Sequence, residues 1–153
     1  MGNVIYESLR FNPVAISTTM YYFENDTKLS DKFSVKANDN IIITMHGLHR
    51  NGAHWQRPNE FLPDRFDPSH PLSKTPKGER RSAYAFLPFS GGKRICFGKT
   101  FAECILKVIL TMMTQTFDMK FVDEETYNKD SLPVLTIGMS NFPELHIELK
   151  KRM

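Results

Sequence analysis

The sequence predicts a single α+β domain, mainly helical with small β-sheets. Three observations favour this class. A long apolar helical pattern covers residues 99–117, a short one covers residues 3–11, and short β-branched or aromatic stretches lie between and after them. With 153 residues, 41% of them apolar, the chain is long enough to bury one core. We therefore treat residues 1–153 as one domain.

The charge balance and the cysteine count exclude several classes of protein. The formal charge is +3, from 20 basic and 17 acidic residues, so no nucleic-acid partner is expected. Cys96 and Cys104 are too few for a disulfide framework and are expected to be free thiols. No apolar run matches a membrane span and no signal-peptide pattern is present. As written, the sequence is expected to be soluble and untargeted.

The first third of the chain predicts a helix followed by strands. Apolar residues at helical spacing indicate a helix over residues 3–11, which Pro13 ends because proline disfavours a helical conformation in the residue before it. Residues 14–23 predict one or two strands. Residues 33–36 and a buried strand at 41–45 predict a hairpin around a turn at 38–40.

The middle of the chain is rich in proline. Residues 57–81 contain five of them, so no regular element is expected there: Pro58, Pro63, Pro68, Pro71 and Pro76. A loop this long is uncommon unless it is functional or lies against something larger. Short strands are predicted at residues 118–122, 133–139 and 145–149.

The long helix carries one narrow polar stripe, which predicts burial over most of its circumference. Glu103 is expected to pair with Lys107 one turn later. Cys104 lies on the apolar side and is expected in the core.

The segment from Phe89 to Gly98 is the strongest candidate for a functional site. Its glycines allow the backbone to approach a flat group closely. Cys96 directly precedes the long helix, whose positive end, together with Lys93 and Arg94, favours a thiolate that can bind a metal. The alternative is that Cys96 is a buried small apolar residue, as most free cysteines are. These features alone leave both roles open.

A longer pattern favours the first role. The spacing Phe89-x-x-Gly92-x-Arg94-x-Cys96-x-Gly98 resembles the heme-binding signature of the cytochrome P-450 family, the heme-thiolate monooxygenases. The match holds at every fixed position.

Three other segments resemble the same family in the same order. Glu7 to Arg10 is similar to its Glu-x-x-Arg helix, residues 48–55 to its linking segment, and residues 61–66 to the motif that supplies a second arginine, here Arg65. The resemblance implies the C-terminal part of that fold: a heme loop, a long buried helix and terminal β-hairpins. It also implies a buried Glu7–Arg10–Arg65 network, although the spacing of Glu7 and Arg10 equally allows a surface pair.

The resemblance implies a site for heme b (iron protoporphyrin IX). Cys96 would be the catalytic thiolate and the iron ligand, held by backbone N–H groups to its sulfur. Phe89 would pack against the sulfur and Arg94 would pair with a heme propionate. The complete set of implied cofactor-binding residues is Phe89, Gly92, Arg94, Cys96, Gly98 and Ala102.

The family's activity implies further partners. One atom of O2 would be inserted into a small hydrophobic substrate facing residues 14–18 and 137–139. Electrons would come from an NADPH-dependent reductase, or another donor, docked on a basic face that is otherwise only solvated: Lys74, Lys77, Arg80, Arg81, Lys93 and Lys99. A full-length eukaryotic relative would reside at the endoplasmic reticulum membrane.

The alternative is a non-catalytic truncated fragment or a heme-binding module. In the family, the distal helix that activates oxygen precedes the Glu-x-x-Arg helix, with which this sequence begins. The isolated chain is therefore expected to have low stability and to bind heme weakly.

Three histidines lie close together in the sequence, at 46, 49 and 54. No cysteine or carboxylate pattern at zinc-finger spacing accompanies them, so no zinc site is predicted. They are expected to be solvated side chains at turns.

Overall fold

The computed structural model describes residues 1–18, 20–122, 134–136, 139–141 and 146–152. Its helices and strands confirm the α+β class. The helices are α1 (Gly2–Phe11), α2 (Met45–His49) and α3 (Lys99–Thr116). The strands are β1 (Tyr21–Tyr22), β2 (Thr27–Ser30), β3 (Phe33–Val35), β4 (Asn40–Ile41), β5 (Phe117–Phe121), β6 (Val134–Thr136), β7 (Met139–Asn141) and β8 (Ile147–Lys151).

The described strands form two-stranded antiparallel sheets, which pair β1 with β4, β2 with β3, β5 with β8 and β6 with β7. The predicted hairpin between residues 33–36 and 41–45 is wrong. The β2–β3 hairpin is nested inside the β1–β4 pair, because the Asn38 N–H donates to the Phe23 carbonyl at 2.7 Å and the Phe23 N–H donates to the Asp39 carbonyl at 3.2 Å. These bonds carry residues 38–41 alongside 21–23.

The predicted buried strand at 41–45 is also wrong. Ile42 and Ile43 are exposed, and Met45 already belongs to α2. The Thr44 side chain caps this helix by accepting the Gly47 N–H at 3.2 Å, which turns the chain out of the extended conformation. Met45 thereby enters the core.

The core lies where α1 and α2 meet the proline-rich segment. That segment is folded into short 3₁₀ turns at Pro63–Phe66 and Pro71–Ser73, and another turn follows at Ala83–Ala85. A proline at the first position of such a turn lacks only an N–H that would have had no partner. The segment therefore packs against α1 as an ordered layer. The buried apolar residues are Ile5, Leu9, Val35, Met45, Trp55 and Ala85.

The predicted burial of the long helix is wrong for this chain. Phe101 is 70% exposed, and the described part of α3 contains no buried residue. Cys104 is exposed rather than in the core. The Glu103 carboxylate binds Lys99 Nζ at 2.9 Å, one turn before it, and not the predicted partner Lys107 one turn after it. An apolar pattern shows which side chains avoid water, but it cannot show whether the same chain supplies the cover.

Within the part of the chain that the structure describes, no helix combines the length and the apolar character needed to cross a membrane.

Candidate functional site

A buried carboxylate bridges two arginines, as predicted. Glu7 Oε2 accepts from Arg10 Nε at 2.8 Å, and Oε1 accepts from Arg10 Nη2 at 2.8 Å and from Arg65 Nε at 3.1 Å. The Leu62 N–H donates to the same Oε1 at 2.7 Å. All three charged side chains are fully buried.

Main-chain carbonyls accept further hydrogen bonds from both guanidinium groups. Arg10 Nη1 donates to the carbonyls of His49 at 2.9 Å and Pro58 at 2.8 Å, and Nη2 donates to that of Glu60 at 3.0 Å. Arg65 donates to the carbonyls of Gln56, Arg57 and Glu60. Burial, followed by the charge of Arg10, lowers the pKa of Arg65 from its usual value. The network therefore fastens the proline-rich segment to α1.

Trp55 lies between two arginines at the centre of this support. It is 0% exposed, with Arg10 Cζ 5.3 Å and Arg81 Cζ 3.8 Å from its ring centroid. No individual role was predicted for Trp55 from the sequence. The feature that could have indicated a role is that Trp55 is the single tryptophan of the sequence and lies next to the proline-rich segment.

Arg81 points inward, so its assignment to the solvated basic face is wrong. Its Nε donates to the His54 carbonyl at 3.2 Å and its Nη2 to the Leu72 carbonyl at 2.7 Å. Burial is the largest cause that lowers the Arg81 pKa to about 10, followed by the charge of Arg65. Lys99 is paired with Glu103, whereas Lys74, Lys77, Arg80 and Lys93 are exposed.

His49 is not a solvated side chain, in contrast to the prediction for the three histidines. It is fully buried, and its Nε2 accepts the Leu87 N–H at 2.9 Å. Burial lowers its pKa to about 4, with Arg10 as the next cause. Among the described residues, no group of three or more His, Cys, Asp or Glu side chains is arranged to hold a metal ion.

The candidate ligand loop is closed by its own backbone. The Cys96 N–H donates to the Phe89 carbonyl at 2.9 Å, and the Lys99 N–H donates to the Cys96 carbonyl at 3.3 Å at the start of α3. Ser90 and Gly92 adopt left-handed conformations with φ of 62° and 67°. Gly92 reaches this region without the steric cost that a side chain would add. The backbone therefore holds Cys96 at the end of a compact loop.

The structure places the six implied cofactor-binding residues on this loop and on the first turn of α3. Gly92, Arg94 and Cys96 are exposed, while Phe89, Gly98 and Ala102 are partly buried. Lys99 Nζ lies 6.0 Å from the centre of the Phe89 ring. The proposed contacts of Phe89 with the sulfur and of Arg94 with a propionate stay predictions.

These residues fit a flat, largely apolar metal complex. The Cys96 thiol is exposed, and a Cβ at Gly98 would lie 3.9 Å from its sulfur, so the residue after Phe97 adds no bulk there. Phe97, next to Cys96 in the chain, and Phe101, on the first turn of α3, are exposed apolar side chains, and exposed Arg94 offers a cation for a carboxylate. A soft sulfur donor with apolar and cationic neighbours matches the needs of heme iron, porphyrin and propionates.

The predicted substrate segments are only partly described. In residues 14–18, Val14 is exposed, and the Ile16 carbonyl accepts the Met45 N–H at 2.8 Å. Residues 137–138 lie outside the described residues.

Comparisons with known proteins identify the family to which this chain belongs. The family model described as Cytochrome P-450 matches residues 1–144. Cytochrome P-450 4A2 of Rattus norvegicus is 34% identical over 121 residues, covering 79% of this chain and 21% of that protein. A Bacillus subtilis (strain 168) protein, the bifunctional cytochrome P-450/NADPH–P-450 reductase 1, is 31% identical over 150 residues, covering 97% of this chain and 13% of its own length.

A solved structure has the same fold. The heme domain of a cytochrome P-450DA mutant matches with a TM-score of 0.77 and 21% identity, covering 99% of this chain and 31% of that chain. The chain thus spans a third or less of the relatives and the structure to which it is similar. Family model, relatives and fold agree, and the chain belongs to the cytochrome P-450 family, whose cofactor is heme.

Proposed function

We propose that this chain forms the proximal half of a heme-thiolate monooxygenase site, with Cys96 as the ligand of the heme iron. The observation that carries the proposal is the exposed Cys96 thiol, held at the end of a loop by the 2.9 Å bond from its N–H to the Phe89 carbonyl. A loop that its own backbone bonds already fold lowers the entropic cost of binding, because the Cys96 backbone is in place before the cofactor arrives.

The proposed reaction inserts one oxygen atom of O2 into a small hydrophobic substrate. The other atom leaves as water, formed with two electrons and two protons. Heme, when bound, supplies the oxygen chemistry, and a thiolate ligand favours O–O cleavage. The residues of this chain hold the ligand: Cys96 donates the sulfur, and exposed Arg94 is positioned at the loop to pair with a propionate.

A basic surface supports the proposed docking of an electron donor. Lys74, Lys77, Arg80 and Lys93 are exposed, and Lys74 and Arg80 face each other in an isolated β-bridge. One relative carries an NADPH–P-450 reductase in the same chain. Docking between opposite charges should weaken as salt is added.

A second candidate is a heme-binding module without oxygenase activity. It is favoured by the exposure of α3, whose apolar side chains include Phe101 and Met112. Within the described residues, this surface has no cover of its own. We therefore expect heme to bind weakly to the isolated chain.

A heme titration tests the ligand role. The full chain is titrated with hemin under reducing conditions, and the absorption of the reduced carbon monoxide complex is recorded. We expect a thiolate-type band that Cys96→Ala abolishes. Cys104→Ala is the matched control, because both thiols are exposed. The ligand role is rejected if the wild-type chain gives no such band or if Cys96→Ala retains it.

Turnover separates the two candidates. The heme-loaded chain is supplied with NADPH, a P-450 reductase and a panel of small apolar compounds under labelled O2. Incorporation of one labelled oxygen atom supports the monooxygenase. A thiolate-type band without incorporation supports the heme-binding module.

A further inference from the structure

We propose that His49 is a positioning residue that fixes the base of the Cys96 loop to α1 and its buried network. The inference deepens the proposed function and rests on the ligand role of Cys96. His49 is joined to both parts of the molecule by separate atoms. Its carbonyl accepts from Arg10 Nη1 at 2.9 Å, and its ring Nε2 accepts the Leu87 N–H at 2.9 Å.

The contact at Leu87 continues to the thiol-bearing residue. The Leu87 carbonyl accepts the Ser90 N–H at 3.0 Å, and two residues further on the Phe89 carbonyl accepts the Cys96 N–H at 2.9 Å. A Cβ placed on Gly91 would lie only 3.2 Å from Leu87 Cδ2, so the loop also packs closely on the Leu87 side chain. A displacement of Leu87 is therefore transmitted to the hydrogen bond that holds Cys96.

The position of His49 is itself tightly restricted. The ring is fully buried, and its centroid lies 5.3 Å from that of Phe86, next to Leu87. Without His49 Nε2, the Leu87 N–H would lose its acceptor in a partly buried position. The ring thus supports the loop by packing and by one directed bond.

The protonation state agrees with this role. Burial and the charge of Arg10 lower the pKa of the ring to about 4, while the backbone carbonyls of Arg10 and Leu9 oppose this shift. The ring is therefore neutral at neutral pH. A neutral imidazole has one N–H and one acceptor nitrogen. Since Nε2 accepts from Leu87, Nδ1 carries the hydrogen, and no hydrogen-bond partner of good geometry faces Nδ1 within the described residues.

The tautomer can be measured on the unaltered chain. Nitrogen-15 shifts and long-range proton couplings of the His49 ring should show the Nδ1–H form at neutral pH. An Nε2–H or doubly protonated ring would overturn the inference, since neither can accept the Leu87 N–H. This measurement needs no substitution and does not depend on heme.

Amide hydrogen exchange of the heme-free chain tests the connection. In His49→Phe, which keeps the ring size and removes the acceptor, exchange at Leu87 and Cys96 should be roughly tenfold faster. In His49→Gln, whose side-chain oxygen can accept, it should stay near the wild-type rate. His46→Phe is the matched control, because His46 is exposed on the same short helix. The Asn12 N–H, which donates to the Ser8 carbonyl at 2.8 Å, reports α1.

The outcomes separate this inference from the proposed function. Faster exchange at Leu87 and Cys96 with unchanged Asn12 supports the positioning role. Unchanged exchange at Leu87 in His49→Phe overturns it. If His49→Phe does not fold, the tautomer and the His49→Gln exchange rates decide.

The reduced carbon monoxide spectrum measures the effect of His49 on the proposed Cys96 ligand. The thiolate-type share of the reduced carbon monoxide spectrum should fall several-fold in His49→Phe, and it should be retained in His49→Gln and in His46→Phe. The tautomer and the exchange rates can agree with the expectation while neither the wild-type chain nor any variant gives a thiolate-type band. In that case the proposed function is rejected and the connection from His49 to Leu87 is retained.

Discussion

Two regions of the molecule differ in how fully the described residues bury their side chains. Around Glu7, Arg10 and Arg65, the charged side chains and the Trp55 ring are fully buried, and main-chain carbonyls surround the cations. Around Cys96 and α3, the thiol and large apolar side chains such as Phe101 are exposed. The first region is a buried network that supports the loop, and the second exposes a candidate ligand atom and an apolar helix face to solvent.

The difference shows where stability and chemistry reside. Buried charge is tolerated only when every partner is present, so the support region must be assembled as a unit. The ligand region is held mostly by backbone hydrogen bonds within one loop and by the start of one helix. Stability should therefore respond strongly to changes in the support and weakly to changes on the exposed face.

The largest effect is expected at the bridging carboxylate. Glu7→Gln removes the negative charge shared by Arg10 and Arg65 and leaves two buried cations, so the free energy of unfolding should fall by about 3–5 kcal/mol. Urea denaturation followed by circular dichroism measures this change.

The exposed pair Lys28–Asp31 provides the control, because it has the same kind of contact at 2.9 Å in solvent. Asp31→Asn should cause no measurable loss. Equal losses at both positions would contradict the contrast between buried and exposed charge.

The next effect is a pH dependence centred on His49. Its pKa lies at about 4 in the folded chain and at 6.5 in the unfolded chain, so the unfolded state binds the extra proton. The free energy of unfolding is therefore highest above pH 6.5. It should fall by about 3 kcal/mol as the pH is lowered toward about 4. Unfolding free energies measured across this range test the slope.

His49→Gln should flatten most of this slope, since glutamine does not titrate. Partial desolvation, followed by the charge of Arg50, also lowers the pKa of His46, although its side chain is exposed overall. His46→Gln should therefore remove a smaller part of the slope in the same direction. A slope that His49→Gln leaves unchanged would contradict the assignment.

The smallest effect is expected on α3. Phe101→Ala removes a ring that is 70% exposed, so the free energy of unfolding should change by less than about 0.5 kcal/mol. The matched substitution Trp55→Ala removes a fully buried ring and should cost about 3–5 kcal/mol. Thermal and urea unfolding of the two variants compare them directly, and a loss of several kcal/mol from Phe101→Ala would show that α3 is covered in solution.

Much of the fold followed from local signals. The spacing of apolar residues predicted α1 and α3 nearly to their ends, because helical periodicity depends on neighbours three and four positions away. The network of Glu7, Arg10 and Arg65 came from resemblance alone, since Arg65 lies far from Glu7 in the sequence.

Other features were missed for reasons of geometry. The hairpin prediction failed because short β-patterned stretches do not specify their partners, which the backbone bonds between Phe23 and residues 38–39 decide. His49 was expected in solvent because its burial depends on Arg10, Phe86 and Leu87, which are distant along the chain.

The sequence by itself determined the chemistry that this chain can offer: a cysteine before a helix, glycines that allow a tight loop, and the charges of a buried network. Only the tertiary structure decided which of these groups are enclosed and which are open. Burial is a property of three-dimensional neighbours, so Arg81 and His49 turned inward while Cys96, Cys104 and the apolar face of α3 stayed exposed.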